Sequence, residues 1–244
     1  MATFVKRHLK ELLKASPTFV KGDYAQALKD AFIQIDEKLK TPDSKKELVE
    51  ISKTVDKSSS LYKPDDDQLA NGIGCTACVA LITKTEIYVA NSGDSRSVLC
   101  RKGIAIPMSE DHKPELERER KRIEKAGGTI EDGRVKGVLN LSRSLGDLEY
   151  KMDKKLTAGE QMITAMPEIK VEKITSDTEF LIIGCDGIWD CLTNEKAVAT
   201  FREKTWSTAT NKPIKTKLGK VIGDVLDVIL AKDLDNPGTV LHID

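Results

Sequence analysis

Apolar residues recur first at helical spacing. The stretches "FVKRHLKELLKA" (4–15) and "DYAQALKDAFIQIDEKLK" (23–40) each carry an apolar stripe, in the second through Tyr24, Leu28, Phe32 (or Ala31) and Ile35. Both predict amphipathic helices packed on a sheet, with Asp23 placed to cap the second. Between 41 and 71, "TPDSKKELVEISKTVDKSSSLYKPDDDQLAN", Ser, Asp and Lys dominate and apolar positions are sparse. That composition predicts a polar, mobile insertion rather than a domain linker. The acid run Asp65–Asp67 within it reads as a solvated face, because a Ca²⁺ loop would need further spaced oxygens and a terminal Glu.

From 74 the period changes to two. The stretches "CTACVALIT", "EIYVANSG" and "SRSVLCRKG" predict three consecutive antiparallel strands joined by short turns. "KPELERERKRIEKAGG" (113–128) predicts a helix with Pro114 near its start and Gly127–Gly128 at its stop. Its Arg and Lys alternate with Glu, the pattern of a solvated face and not of a nucleic-acid patch. "RVKGVLNLSRSLGD" (134–147) reads as a strand and a Gly/Ser-rich turn, and "EIKVEKI" and "EFLIIGCD" as two more strands. Residues 194–204 and 215–232 return to helical spacing, and "TVLHI" (239–243) predicts a last short strand. Antiparallel strands grouped apart from helices predict the α+β class, one layered domain over 1–244.

Composition changes this picture little. The chain has 244 residues, 39% of them hydrophobic, enough for a substantial core. Its 39 Lys and Arg against 39 Asp and Glu leave no net charge to draw it to nucleic acid or anionic lipid. No segment approaches the roughly 20 apolar residues of a membrane span, and "MATFVKRHLKELLK" is no signal-peptide core. The expectation is an intracellular protein, cytoplasmic or nuclear, with neither a membrane nor a nucleic-acid partner. Five cysteines without framework spacing are expected to be reduced. Cys75 and Cys78 have C-x-x-C spacing but no second pair, and on a strand they would point to opposite faces, so they are expected in the core and not on zinc.

The candidate chemistry lies in acids just beyond strand-like runs: Asp94 in "VANSGDSR", Asp186 in "LIIGCDG" and Asp235 in "LAKDLDNPGTV". Beside glycines that let a backbone approach, such acids can converge in a fold, and hard oxygen ligands of this kind favour Mg²⁺ or Mn²⁺. Taken singly, an aspartate in such a turn more often bonds its own backbone. His8, His112 and His242 are expected in structural places, not as catalytic groups.

The words around these acids go further. "GCTACVALI", "IYVANSGDSRSVL", "MSEDHKPELERERKRIEKAGGTI", "GRVKGVLNLSRSLGD", "MITAMPEIKV" and "EFLIIGCDGIWDCLTNEKAV" stand in the order and spacing of one family. The chain resembles the metal-dependent Ser/Thr protein phosphatases of the PP2C (PPM) family, with "LNLSRSLGD" and "EQMITAMPEI" similar to its gamma-type members. The resemblance implies a sandwich of two antiparallel sheets flanked by helix pairs, a Mg²⁺ or Mn²⁺ pair, and phosphoprotein substrates. It implies Asp186 and Asp235 as ligands of the metal pair. Asp94 would join Asp186, with Asp190, at a third ion.

Departures from the family pattern shape the expectation. The Arg, Glu-Asp and Asp-Gly-His-Gly-Gly motifs that family members carry ahead of the first helix are not in this sequence. The chain is therefore expected to be an N-terminally truncated phosphatase, weakly active or inactive alone, its site completed by a missing segment or a protein partner. The alternative is a non-catalytic pseudophosphatase or truncated binding subunit. Pro237 and Gly238 interrupt the last acidic motif, and Lys136 stands where the family usually has Asn.

Overall fold

Helix α1 (Ala2–Ala15) is followed by the single turn α2 (Pro17–Val20), which has Pro at its first position, and by α3 (Tyr24–Leu39). The residues that face inward are those the spacing selects: Phe4 on α1, and Leu28, Phe32, Ile35 and Leu39 on α3, are almost wholly buried. Asp23 caps α3 as expected, its carboxylate accepting the Gln26 N–H at 3.1 Å. The computed structural model describes residues 1–54, 69–207, 209–210 and 212–230.

The polar stretch from 41 departs from expectation. Residues Pro42–Thr54 form a helix, α4, with Ser44, Leu48 and Ile51 buried. Pro42 has no N–H to lose at a helix start, and Leu48 and Ile51, three apart, stack on one face. Glu47 joins this helix to α1 by accepting from Arg7 at 3.0 Å and meeting His8 at 2.6 Å. Leu69–Gly72 form a further turn, α5, with Leu69 and Ala70 buried. Asp65–Asp67 lie outside the described residues.

The strands follow as β1 (Gly74–Cys75), β2 (Ala77–Ile82), β3 (Glu86–Ser92), β4 (Arg96–Arg101) and β5 (Ile104–Pro107). After α6 (Glu117–Lys125) come β6 (Ile130–Glu131), β7 (Arg134–Val135), β8 (Leu145–Gly146), β9 (Glu168–Lys173) and β10 (Thr178–Gly184). The described chain ends with α7 (Asp186–Trp189), α8 (Asn194–Thr205), β11 (Trp206–Ser207), β12 (Lys212–Pro213) and α9 (Leu218–Ile229). The expected strand at 239–243 lies outside the described residues.

Mixed helices and antiparallel sheets give the α+β class expected. The meander, however, is not continuous. One sheet has the order β2-β3-β9 and another the order β10-β4-β5, so β4 does not pair with β3. Ser97, Val98, Leu99 and Cys100 are all fully buried, the mark of a central strand that needs a partner on each side. Strands β6 and β7 form a hairpin through Asp132 (φ 49°) and Gly133 (φ 72°), the two positive-φ residues of a type I′ turn. The family-atypical Lys136 also sits in the left-handed region, at φ 51°, where Asn is tolerated better than most residues.

The described residues divide into two compact units. The first takes in Met1–Leu81, Tyr88–Asp94 and Asp111–Lys170; the second takes in Ile82–Ile87, Ser95–Glu110 and the chain from Val171. The first is centred on the α1, α3 and α4 side chains with Ala90 and Leu145, and has a smaller cluster of Ile123, Val135, Met162 and Ile163. In the second, Val98, Cys100 and Ile182 from the sheet pack on Trp189, Val198, Val225 and Ile229 from the helices.

Candidate functional site

In the second unit the sheet delivers two acids to one turn. Strand β10 pairs with β4 through Gly184↔Arg96, and the chain then turns directly into α7. Trp189 locks the turn: its Nε1–H donates to the Gly184 carbonyl at 2.8 Å, and the Arg96 guanidinium lies 5.3 Å from its ring centroid. Asp186 and Asp190 are both exposed there. The Asp190 N–H donates to the Asp186 carbonyl at 2.7 Å, and Asp186 Oδ1 accepts from the Gly187 N–H at 2.9 Å. This is the local bonding a turn aspartate makes, and it leaves carboxylate oxygen facing water.

In the first unit Asp94 follows β3 and is buried. Gly93 before it has φ 118° and packs so closely that a Cβ would fall 2.5 Å from Thr76 Cγ2. The Gly93 carbonyl accepts from Asn91 Nδ2 and from the His112 main-chain N–H, both at 3.0 Å, while the Gly93 N–H donates to His112 Nδ1 at 3.2 Å. With Nδ1 accepting, the neutral ring carries its proton on Nε2, which lies 3.4 Å from Glu168 Oε2. His112 thus holds the structural place expected of it. The Lys113 ammonium pairs with Asp94 Oδ2, a contact that strand-end reasoning about the acids did not anticipate.

Two charged clusters within the first unit also escaped sequence reasoning. Glu119, wholly buried on α6, accepts from Arg122, from Arg143, from Arg118 Nε at 3.3 Å and from Ser142 Oγ at 2.9 Å. Burial raises its pKa, but Arg143 and Arg122 outweigh that and hold the carboxyl well below the usual carboxylate range. The expected solvated helix face is therefore wrong at Glu119 and Arg122, because their partners come from a segment some twenty residues further on.

The second cluster joins α3 to the "SRSLGD" turn. Lys151 donates to Asp36 and, at 2.8 Å, to the Ser144 carbonyl; Asp36 also accepts the Gly146 N–H at 2.9 Å. Ser144 Oγ donates to Asp147 Oδ2 at 2.6 Å. Burial pushes the carboxyl pKa values of Asp36 and Asp147 up and that of Lys151 down. Burial likewise pushes the Cys75 thiol up to about 11.

The family model described as "PP2C: Protein phosphatase 2C" matches residues 1–225. The chain belongs to the PP2C family of protein phosphatases. It is 42% identical over 233 residues to "Probable protein phosphatase 2C 4" of Paramecium tetraurelia, covering 96% of this chain and 72% of that protein. It is 41% identical over 247 residues to "Protein phosphatase 2C 1" of the same organism, covering 99% of this chain and 77% of that one. Among solved structures, the serine-threonine phosphatase 2C of Toxoplasma gondii superposes with a TM-score of 0.60 at 17% identity, over 92% of this chain and 76% of that one. This likeness supports the PP2C fold.

The PP2C family uses Mg²⁺ or Mn²⁺, and the described residues meet that requirement in part. Asp186 and Asp190 present exposed hard oxygens, whereas Asp94 is buried and paired with the Lys113 ammonium. Among the described residues no group of three or more His, Cys, Asp or Glu is placed to hold a metal. Asp235, with Pro237, Gly238 and His242, lies outside the described residues. No helix among the described residues is long and apolar enough to cross a membrane.

Proposed function

We propose that this chain carries the metal-binding acids of a phosphoserine/phosphothreonine phosphatase, with Asp186, Asp190, Asp94 and Asp235 as carboxylate ligands of Mg²⁺ or Mn²⁺. The observation that carries the reading is the family match over residues 1–225 together with Asp186, held in a locked turn with carboxylate oxygen free to bind. When bound, such ions supply a water of lowered pKa and offset charge on the phosphoryl oxygens. The chain's own contribution is to fix the acids. The Trp189 bond to Gly184 sets the Asp186 turn, and the His112 clamp sets the Asp94 turn. Phosphoproteins are the proposed substrates.

The test is hydrolysis of a phosphothreonine peptide by the 244-residue chain with Mn²⁺ and with EDTA. Mn²⁺-dependent turnover is expected to fall in Asp186→Asn, which keeps the side chain's shape. Loss of a direct ligand should cost at least the roughly 10–100-fold that loss of an outer-shell partner costs. Turnover that ignores EDTA, or survives Asp186→Asn, refutes the reading. A chain that binds Mn²⁺ through Asp186 without turnover is a non-catalytic member.

A further inference from the structure

We propose that Lys113 is a built-in counter-cation at Asp94, and that a divalent cation reaches this acid only by displacing the lysine. The inference rests on the reading of Asp94 as a metal-binding acid and adds what governs its loading. It makes Lys113 a positioning residue that sets metal affinity.

The geometry separates a fixed acid from a movable base. Asp94 cannot follow an arriving ion. Its side chain is only 6% exposed, and the Gly93 carbonyl and N–H before it make three hydrogen bonds with Asn91 and His112, two accepted by the carbonyl and one donated by the N–H. Thr76 fills the space a Cβ at Gly93 would need, so the turn is built for glycine at that position. Lys113 differs in kind. Its main chain is tied into the turn ahead of α6, with its N–H on the Asp111 carbonyl at 3.1 Å and its carbonyl accepting the Leu116 N–H at 3.2 Å. Its side chain is 39% exposed and ends in a compact, strongly hydrated ammonium on a flexible stem. Swinging that end into water desolvates nothing and exposes Asp94 Oδ2.

Charge makes the displacement obligatory. With Lys113 in place Asp94 is already neutralised, and a divalent ion brought to Oδ2 would meet the ammonium, a like charge, at close range. The ion must therefore exchange with the lysine. The apparent affinity at Asp94 is the intrinsic affinity reduced by the ion pair that has to break. A purely structural Lys113–Asp94 bridge predicts the opposite sign, since losing it would loosen the turn and weaken binding.

The test is Mn²⁺ titration of the full chain, followed by the electron paramagnetic resonance signal of free Mn²⁺, in the unaltered protein and in Asp94→Asn, Lys113→Gln and Lys113→Arg. The expected result is a weak site that Asp94→Asn removes. Lys113→Gln should tighten it roughly tenfold or more, the scale of a hydrogen bond to a charged group, and Lys113→Arg should leave it weak. An Asp94-dependent site whose affinity is unchanged or lower in Lys113→Gln overturns the proposal and leaves the metal reading standing. If no variant shows binding that Asp94→Asn removes, the reading of Asp94 falls and the proposal with it.

Reductive methylation of lysines, read by peptide mass spectrometry, keeps the test independent of the folding of Lys113→Gln. In the unaltered chain, Mg²⁺ at a concentration that fills the Asp94 site should raise labelling at Lys113. In Asp94→Asn that labelling should already be high and insensitive to Mg²⁺. Labelling at Lys113 that does not respond to Mg²⁺ in the unaltered chain overturns the displacement.

Discussion

Glu119→Gln keeps the shape and the burial of the side chain and removes only its charge. In the native chain this carboxylate, with no exposed surface, is the common acceptor for Arg122 and Arg143, whose side chains are 12% and 11% exposed. A neutral amide leaves two nearly buried guanidinium groups without an anion and turns one acceptor oxygen into a donor facing donors. Breaking a buried ion pair from one side costs about 3–5 kcal/mol. In a domain of this size that corresponds to a fall in melting temperature of roughly 6–20 °C. Urea denaturation followed by circular dichroism, at pH 7 and at intervals down to pH 3, measures it. The pH series carries the sharper test. Because the folded pKa of Glu119 is depressed, its stabilisation is fully present above the unfolded carboxylate value of about 4.3 and is lost as pH falls below it. The gap between native chain and variant should be full at pH 7 and should narrow in acid. A variant within about 1 kcal/mol of the native chain at pH 7, or a gap that does not narrow, refutes the charge argument.

Three further outcomes follow from the same structure. Lys151→Met leaves Asp36 buried without its cation and should cost about 3–5 kcal/mol, while adding Asp36→Asn should recover most of the loss; a double-mutant cycle in urea whose two changes are simply additive refutes the pairing. Gly74→Ala places a Cβ 1.9 Å from Asp147 Oδ2, whose carboxylate Ser144 holds in place, so it should destabilise by about 1–3 kcal/mol in the same assay, and a neutral result would mean that the Asp147 turn yields freely. At pH 8 a disulfide reagent should modify exposed Cys185 well before Cys75 and Cys100, whose thiols burial pushes up to about 11; fast labelling of either in the folded chain, read by mass spectrometry, contradicts that burial.

What was legible in the sequence was local. The stripe through Leu28, Phe32 and Ile35 needs only the helical period to be read, and the Asp23 cap only its position at the start of that helix. The helix over 42–54 was readable in principle, from Pro42 at its start and from Leu48 and Ile51 three apart. Its low apolar content hid it, since part of what holds it is the pairing of Glu47 with Arg7 and His8, some forty residues away. The break between β3 and β4 was not readable, because a strand buried on both faces shows no alternation that would identify its neighbours.

The charged residues make the same point where it matters most for chemistry. A run such as "ERERKRIEK" has one pattern whether its acids face water or face buried arginines. Glu117 and Glu119 illustrate both outcomes two residues apart. Glu117 is exposed and meets Lys121 one turn on, whereas Glu119 is buried against Arg143 from beyond the β6–β7 hairpin. Lys113 belongs with Glu119. Its partner Asp94 lies nineteen residues earlier, so helical spacing could not reveal it. The acids of the proposed site were visible as strand-end aspartates, because a turn and a glycine mark them in sequence. The groups that set their charge were not, because a long-range ion pair leaves no period behind. For this chain, then, the candidate ligands follow from motif words, while Lys113, the base paired with Asp94, comes to it only through the fold.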